Sequence, residues 1–271
     1  MNFYVLGDLH GGYDQSLVPL STKKFPEQKN MTKETDILFQ LGDFGFLWFY
    51  PEYNKREYEK DLKKINELLK RNFLWFVIPG NHENYDLLDR LPEKELFNGT
   101  VKYLSLPAGE IYFAKRGEIY EIDGKKIFTF SGAKSNDIED RFSLDDFLNK
   151  KEYYKYSFTG GFSKKRKNVT PNKISYWKQE VFSEEEKNFA LKNLEKHNYK
   201  IDYVFTHTGP SSALKEMTLH KGKINCPVAI FLDEIKEKLT FKEWHFGHIH
   251  TNKNYLNFYS HYLKSPHLIK N

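Results

Sequence analysis

Five short apolar runs, each closed off by glycine or proline, constrain this chain more than any other feature. They cover residues 2–6, 36–41, 73–78, 201–205 and 241–246 and are rich in β-branched and aromatic side chains. Runs of this length and make-up predict buried β-strands. A polar island follows each one. G-D-L-H-G carries Asp8 and His10, L-G-D-F-G carries Asp43, P-G-N-H-E carries Asn81, F-T-H-T-G-P carries His207, and F-G-H-I-H carries His248 and His250. In open α/β sheets, functional groups gather beyond the carboxyl ends of the strands. Seven potential ligands just past five strand ends therefore predict one convergent site.

The residue types narrow the chemistry. A pair of divalent cations a few ångströms apart needs a carboxylate that can bridge them, with oxygen and imidazole donors on either flank. The islands supply that set. Gly11-Gly12 lets the chain turn, so that Asp8 and His10 can both reach one cation. Cys226 is the only cysteine, which excludes an intramolecular disulfide and a thiolate zinc cluster.

Helical spacing separates the runs. Tyr58, Leu62, Ile65 and Leu69 recur on one face of a charged segment. Ser183-Glu184-Glu185-Glu186 reads as a capping box opening a helix through Phe189, Ala190 and Leu194. Another helix is predicted from Val228 to Leu239. Residues 101–133 read as successive strands, with Asp123-Gly124 as the hairpin turn between 119–122 and 127–130. Two mixed sheets packed face to face with helices outside is the expected α/β architecture. Residues 150–173 stand apart. Eight cations there face Glu152 alone, interleaved with Tyr153, Tyr154, Tyr156, Phe158 and Phe162. With no evident period, the segment reads as a basic loop or flap on a single domain over 1–271. Cations between aromatics also suit single-stranded nucleic acid, a partner this flap would hold by stacking and phosphate contacts.

Composition sets outer bounds. The 271 residues include 23 Phe and 18 Tyr, enough for a sizeable aromatic core, and the net charge is +5. The start of the chain lacks the basic and apolar regions of a signal peptide, and no stretch is long enough to cross a bilayer. A soluble, cytoplasmic protein without a membrane partner is the expectation.

The islands resemble the calcineurin-like metallophosphoesterases, whose pattern is D-x-H, G-D, G-N-H-[DE], a lone His and G-H-x-H. The match runs from residue 7 to 250. Four further stretches look like a bacterial and phage branch of that superfamily. They are G-N-H-E-N-Y-D-L-L from Gly80, S-G-A-K-S-N-D from Ser131 together with Arg141, S-Y-W-K-Q-E at Ser175–Glu180, and D-Y-V-F-T-H-T-G-P from Asp202. The resemblance implies a four-layer α/β/β/α sandwich and hydrolysis of phosphate mono- or diesters by hydroxide formed at two divalent ions. Mn²⁺ is the first choice for those ions, with Fe or Zn²⁺ as alternatives.

On that reading Asp8, His10 and His250 hold one ion, Asn81, His207 and His248 the other, and Asp43 bridges both. His82 contacts the phosphoryl group and protonates the leaving oxygen, while Arg141 and Trp177 line the substrate site. The sequence departs from the family where many members carry an Asp three residues after the bridging one, because Phe46 stands there. Glu83 or Asp86 is the expected substitute that orients His82. The alternatives are a protein Ser/Thr phosphatase-like enzyme, a nuclease on single-stranded nucleic acid, and a scaffold without catalysis. His197, His220, His245, His261 and His267 lack a ligand pattern and are expected to be structural.

Overall fold

The structure, a computed structural model, describes residues 1–15, 17–135, 141–157, 163–218 and 224–270. The first sheet contains β1 (Asn2–Leu6), β2 (Asp36–Gln40), β3 (Leu74–Val77), β4 (Glu93–Leu96), β5 (Gly99–Leu106) and β6 (Gly109–Ala114). The second begins with β7 (Ile119–Ile122) and β8 (Lys125–Phe130); β9 (Glu152–Ser157) and β10 (Ser163–Asn168) form a separate pair. β11 (Tyr203–Thr206), β12 (Glu243–Phe246), β13 (Asn254–Tyr255) and β14 (Phe258–Ser260) complete the second sheet, and β15 (His267–Ile269) returns to the first. The strand orders are β15-β1-β2-β3-β6-β5-β4 and β13-β14-β12-β11-β8-β7.

β1, β2, β3 and β6 run parallel, as do β8, β11, β12 and β14, with antiparallel strands at the flanks. All five apolar runs are parallel strands near the middle of a sheet, which is why they carry apolar residues on both faces. Phe3, Phe39, Phe76, Tyr203 and Phe205 share one buried cluster drawn from both sheets. Separate clusters pack the first sheet with the helix α1 (Pro51–Leu69), and the second with later helices described below. The architecture is therefore mixed α/β with two large mixed sheets.

Short α2 (Tyr85–Asp89) and α3 (Leu144–Leu148) precede α4 (Glu184–Lys196), α5 (Ser211–Thr218) and α6 (Pro227–Lys236). α1 starts with proline in its first turn and buries Ile65, Leu68 and Leu69 on one face. The Ser183 capping box is present, with the hydroxyl accepting from Glu186 N and the Glu186 carboxylate accepting from Ser183 N. α4 buries Ala190 and Leu194 but leaves Phe189 exposed. Asp123 and Gly124 take φ of 52° and 71°, the left-handed pair a two-residue hairpin needs.

The basic segment is not the irregular loop expected. β9 and β10 pair antiparallel from Glu152↔Asn168 to Ser157↔Ser163. The two strands form a sheet of their own, and their sequence lacks the apolar alternation that signals a half-buried strand. Phe158, Gly160, Gly161 and Phe162 lie outside the described residues.

Candidate metal centre

The seven ligand candidates leave the two sheets from the same end. Asp8, Asp43 and Asn81 follow β1, β2 and β3, while His207 and His248 follow β11 and β12. Backbone contacts lace the loops together. Leu9 N and His10 N donate to Asp43 O at 2.9 and 2.7 Å, His82 N to Asp43 Oδ1 at 2.8 Å, and His248 N to Asp8 Oδ1 at 3.0 Å. His10, Asp43, His248 and His250 have φ of 44°, 50°, 64° and 48°. That left-handed backbone costs about 1–3 kcal/mol per non-glycine residue and concentrates at functional sites. Gly80 lies so close to Asp43 that an added Cβ would stand 2.3 Å from both Asp43 N and Asp43 Oδ1.

Asp8, His10, Asp43 and His250 offer ligand atoms within 4.8 Å of one another, and so do Asp43, His207 and His248. Asp43 belongs to both groups. Asn81 joins the second, with Oδ1 2.9 Å from His207 Nε2. His207 Nδ1 lies 2.9 Å from Leu41 O, a carbonyl that can only accept, so the ring proton sits on Nδ1. In the neutral ring, Nε2 then points a lone pair at Asn81 Oδ1 and, 3.2 Å away, Asp43 Oδ1. Three electron-rich atoms converging on one point fit a cation. The other group shows the same pattern. Asp8 Oδ2 is buried with His250 Nε2 3.0 Å away, and His10 Nε2 faces His250 Nε2 at 3.1 Å. The donor set therefore fits hard divalent ions with nitrogen and oxygen ligands.

The electrostatics agree. Burial alone would lower the His207 pKa, but the Asp43 carboxylate outweighs burial and holds it up at about 10. Asp43 itself falls well below the usual carboxylate range, since the neighbouring imidazoles overcome the burial that would raise it. With no metal, a proton takes the place of positive charge at that spot. His248 goes the other way, pushed down to about 3 by burial and by the charge on His207.

His82 is served differently from expectation. Arg141 Nη2 lies 2.9 Å from His82 Nε2, and Trp48 stacks on the ring at 6.1 Å and 26°. A guanidinium can only donate, so Nε2 accepts and the imidazole is neutral. Burial first, with Arg141 opposing further positive charge, lowers its pKa. Neither expected substitute orients the ring. Glu83 accepts from Gly45 N and Gly80 N, and Asp86 accepts from Tyr50 and Gln179. Phe46, where the family's Asp would stand, is buried against Phe44. Trp177 is also corrected. It is 3% exposed, donates from Nε1 to Tyr50 OH at 2.8 Å and meets Trp48 edge-on at 4.9 Å. Trp177 therefore stands behind the wall that Trp48 forms.

A cavity of about 750 Å³ opens from His10, His82 and His250. Trp48, Phe142 and Tyr262 give it flat sides, and Lys60, Lys64 and Lys173 give it cations. Asp61 lines it too, accepting from Trp48 N at 3.1 Å. Sequence reasoning missed Trp48 and Asp61, since each sits inside an apolar or charged run with nothing to single it out. Of the remaining histidines, buried His245 has Nδ1 2.9 Å from His261 Nε2 and Nε2 against Glu243. His197 closes the end of α4, and His220 lies outside the described residues.

Residues 1–252 match the model of the calcineurin-like phosphoesterases. The chain belongs to that family. No curated protein matches the chain. Among solved structures, a Staphylococcus aureus protein described as a 5′-nucleotidase, in complex with α-ketoglutarate, is similar over 96% of this chain at 14% identity and a TM-score of 0.40. The chain spans 47% of that protein's length. Among the described residues, no helix is long and apolar enough to cross a membrane.

Proposed function

We propose that the chain hydrolyses small phosphate mono- or diesters at two divalent cations. Asp8, His10 and His250 would hold one, Asn81, His207 and His248 the other, and Asp43 both. The observation that carries this reading is the sharing of Asp43 by two ligand groups whose lone pairs face one another. When bound, the cations supply charge that acidifies a water and offsets the phosphoryl oxygens.

The chain's own residues do the rest. His82 lines the cavity wall, and once Arg141 turns away its Nε2 is free to take up a proton and deliver it to the leaving oxygen. Arg141 already reaches Nε2 and is placed to turn from the imidazole to a phosphoryl oxygen, an anion that guanidinium prefers. Trp48 and Tyr262 offer faces to a leaving group and keep water off one side. Mn²⁺ is the proposed occupant, with Fe or Zn²⁺ as alternatives, because the donor set lacks thiolate.

Metal analysis after loading with Mn²⁺, Fe²⁺ or Zn²⁺, alongside hydrolysis of p-nitrophenyl and bis-p-nitrophenyl phosphate, tests the reading. Two ions per chain with turnover are expected, both lost in Asp43→Asn. A wild-type protein that stays empty and inert overturns it.

A further inference from the structure

Asn81 presents a problem that a carboxylate ligand does not. Its amide has an oxygen that attracts a cation and an NH₂ that repels one, at two ends of nearly equal size. Something must choose between them. In this chain Asn81 Nδ2 donates to Ser135 Oγ at 3.0 Å, and Ser135 Oγ donates to Glu180 Oε2 at 2.7 Å. Glu180 Oε1 accepts from Ser135 N at 2.8 Å. All three residues are buried. The loop carrying Ser135 is fastened to the Asn81 loop by Gly132 N donating to Pro79 O at 2.8 Å.

A serine hydroxyl has a single hydrogen. Committed to Glu180, it leaves only lone pairs for Asn81, so it takes the NH₂ end and turns Oδ1 toward Asp43 and His207. We infer that Ser135 and Glu180 are positioning residues that set the polarity of the Asn81 amide and thereby the affinity of the second cation. This inference rests on the proposed reading of Asn81 as a ligand. It also gives work to Ser135 and Glu180, two residues that the ligand pattern leaves unexplained.

The logic predicts an inversion. In Glu180→Gln, Ser135 N still needs an acceptor and keeps the amide oxygen. The new NH₂ then donates to Ser135 Oγ, whose hydrogen is freed to point at Asn81. Asn81 turns over and offers NH₂ to the cation. Removing an outer partner of a metal ligand typically weakens binding about 10–100-fold. Titration of the full-length protein with Mn²⁺, read by electron paramagnetic resonance and equilibrium dialysis, should show that loss at one site while the other keeps its affinity.

The companion change decides the matter. Asn81→Asp alone sets a carboxylate against the Ser135 lone pairs and weakens the same site. Combined with Glu180→Gln it meets a donating hydroxyl, and affinity should recover above either single variant. A merely structural Glu180 gives no such rescue. Ser135→Ala serves if Glu180→Gln fails to fold, with a milder loss at the one site. Glu180→Gln or Ser135→Ala binding both ions as tightly as wild type overturns the relay, as does a double variant no better than the singles. Wild-type protein that takes up no second ion overturns the proposed function as well, so the two failures are distinct.

Discussion

Gly80→Ala should disable the centre with every candidate ligand left in the sequence. The added Cβ would lie 2.3 Å from Asp43 N and Oδ1 and 2.9 Å from His207 Cε1, whereas ordinary contact begins at 3.4 Å. More than an ångström must be found on the side of Asp43. Little there can give. Asp43 Oδ1 accepts from His82 N, Asp43 O accepts from Leu9 and His10, and Gly80 N is held by the buried Glu83 carboxylate. Displacing a reacting geometry by about 1 Å costs on the order of 100-fold in rate, or about 2.7 kcal/mol of barrier. Steady-state hydrolysis of bis-p-nitrophenyl phosphate at saturating Mn²⁺ gives kcat/KM, and thermal melting by circular dichroism shows whether the fold survives. A folded variant with wild-type kcat/KM and two tightly held ions would refute the argument that the Gly80–Asp43 contact sets the position of the bridge.

Three further expectations follow from the same site. Burial raises the Asp61 pKa from 3.8 to about 6, against the Trp48 N–H bond that lowers it. Folded protein therefore binds the proton more tightly than unfolded protein, and stability from this group falls as pH climbs from about 4 to 6 and is flat above. Urea titrations of Asp61→Asn, which removes the penalty, should show little gain at pH 4 and about 3 kcal/mol at pH 7–8; a gain independent of pH refutes this. Trp48→Ala removes the ring stacked on His82, so KM for aryl phosphates should rise several-fold with a smaller change for methyl phosphates; equal changes refute the stacking role. Chelation should lower the melting point, since ions at 100 times their Kd add about 2.7 kcal/mol to the folded state. A melt unchanged by chelator and by added Mn²⁺ would count against bound cations.

The strands and ligand islands were legible for one reason. A parallel strand buried on both faces writes an unbroken apolar run, and the glycine or proline that ends it marks where a side chain can be presented. Asp8, Asp43 and Asn81 are readable in that way. Trp48 and Trp177 are not, because two tryptophans in contact are told apart only by which one the cavity touches. Arg141 reaches His82 across 59 residues, and Asn81 reaches Ser135 across 54, pairings that no local pattern encodes. The Glu83 and Asp86 expectation failed on proximity. Both are near His82 in the chain, yet Glu83 turns to two backbone amides and Asp86 to Tyr50 and Gln179. The β9–β10 ribbon left no trace in period, because its cations and aromatics do not alternate as a half-buried strand would.

The two sheets contribute unequal shares of the centre, Asp8, His10, Asp43 and Asn81 from one and His207, His248 and His250 from the other. Ions seated between them would act as rivets through the seam. Any breathing that slides one sheet along its neighbour must first spring a rivet, so the rate at which metal escapes becomes a clock for that motion.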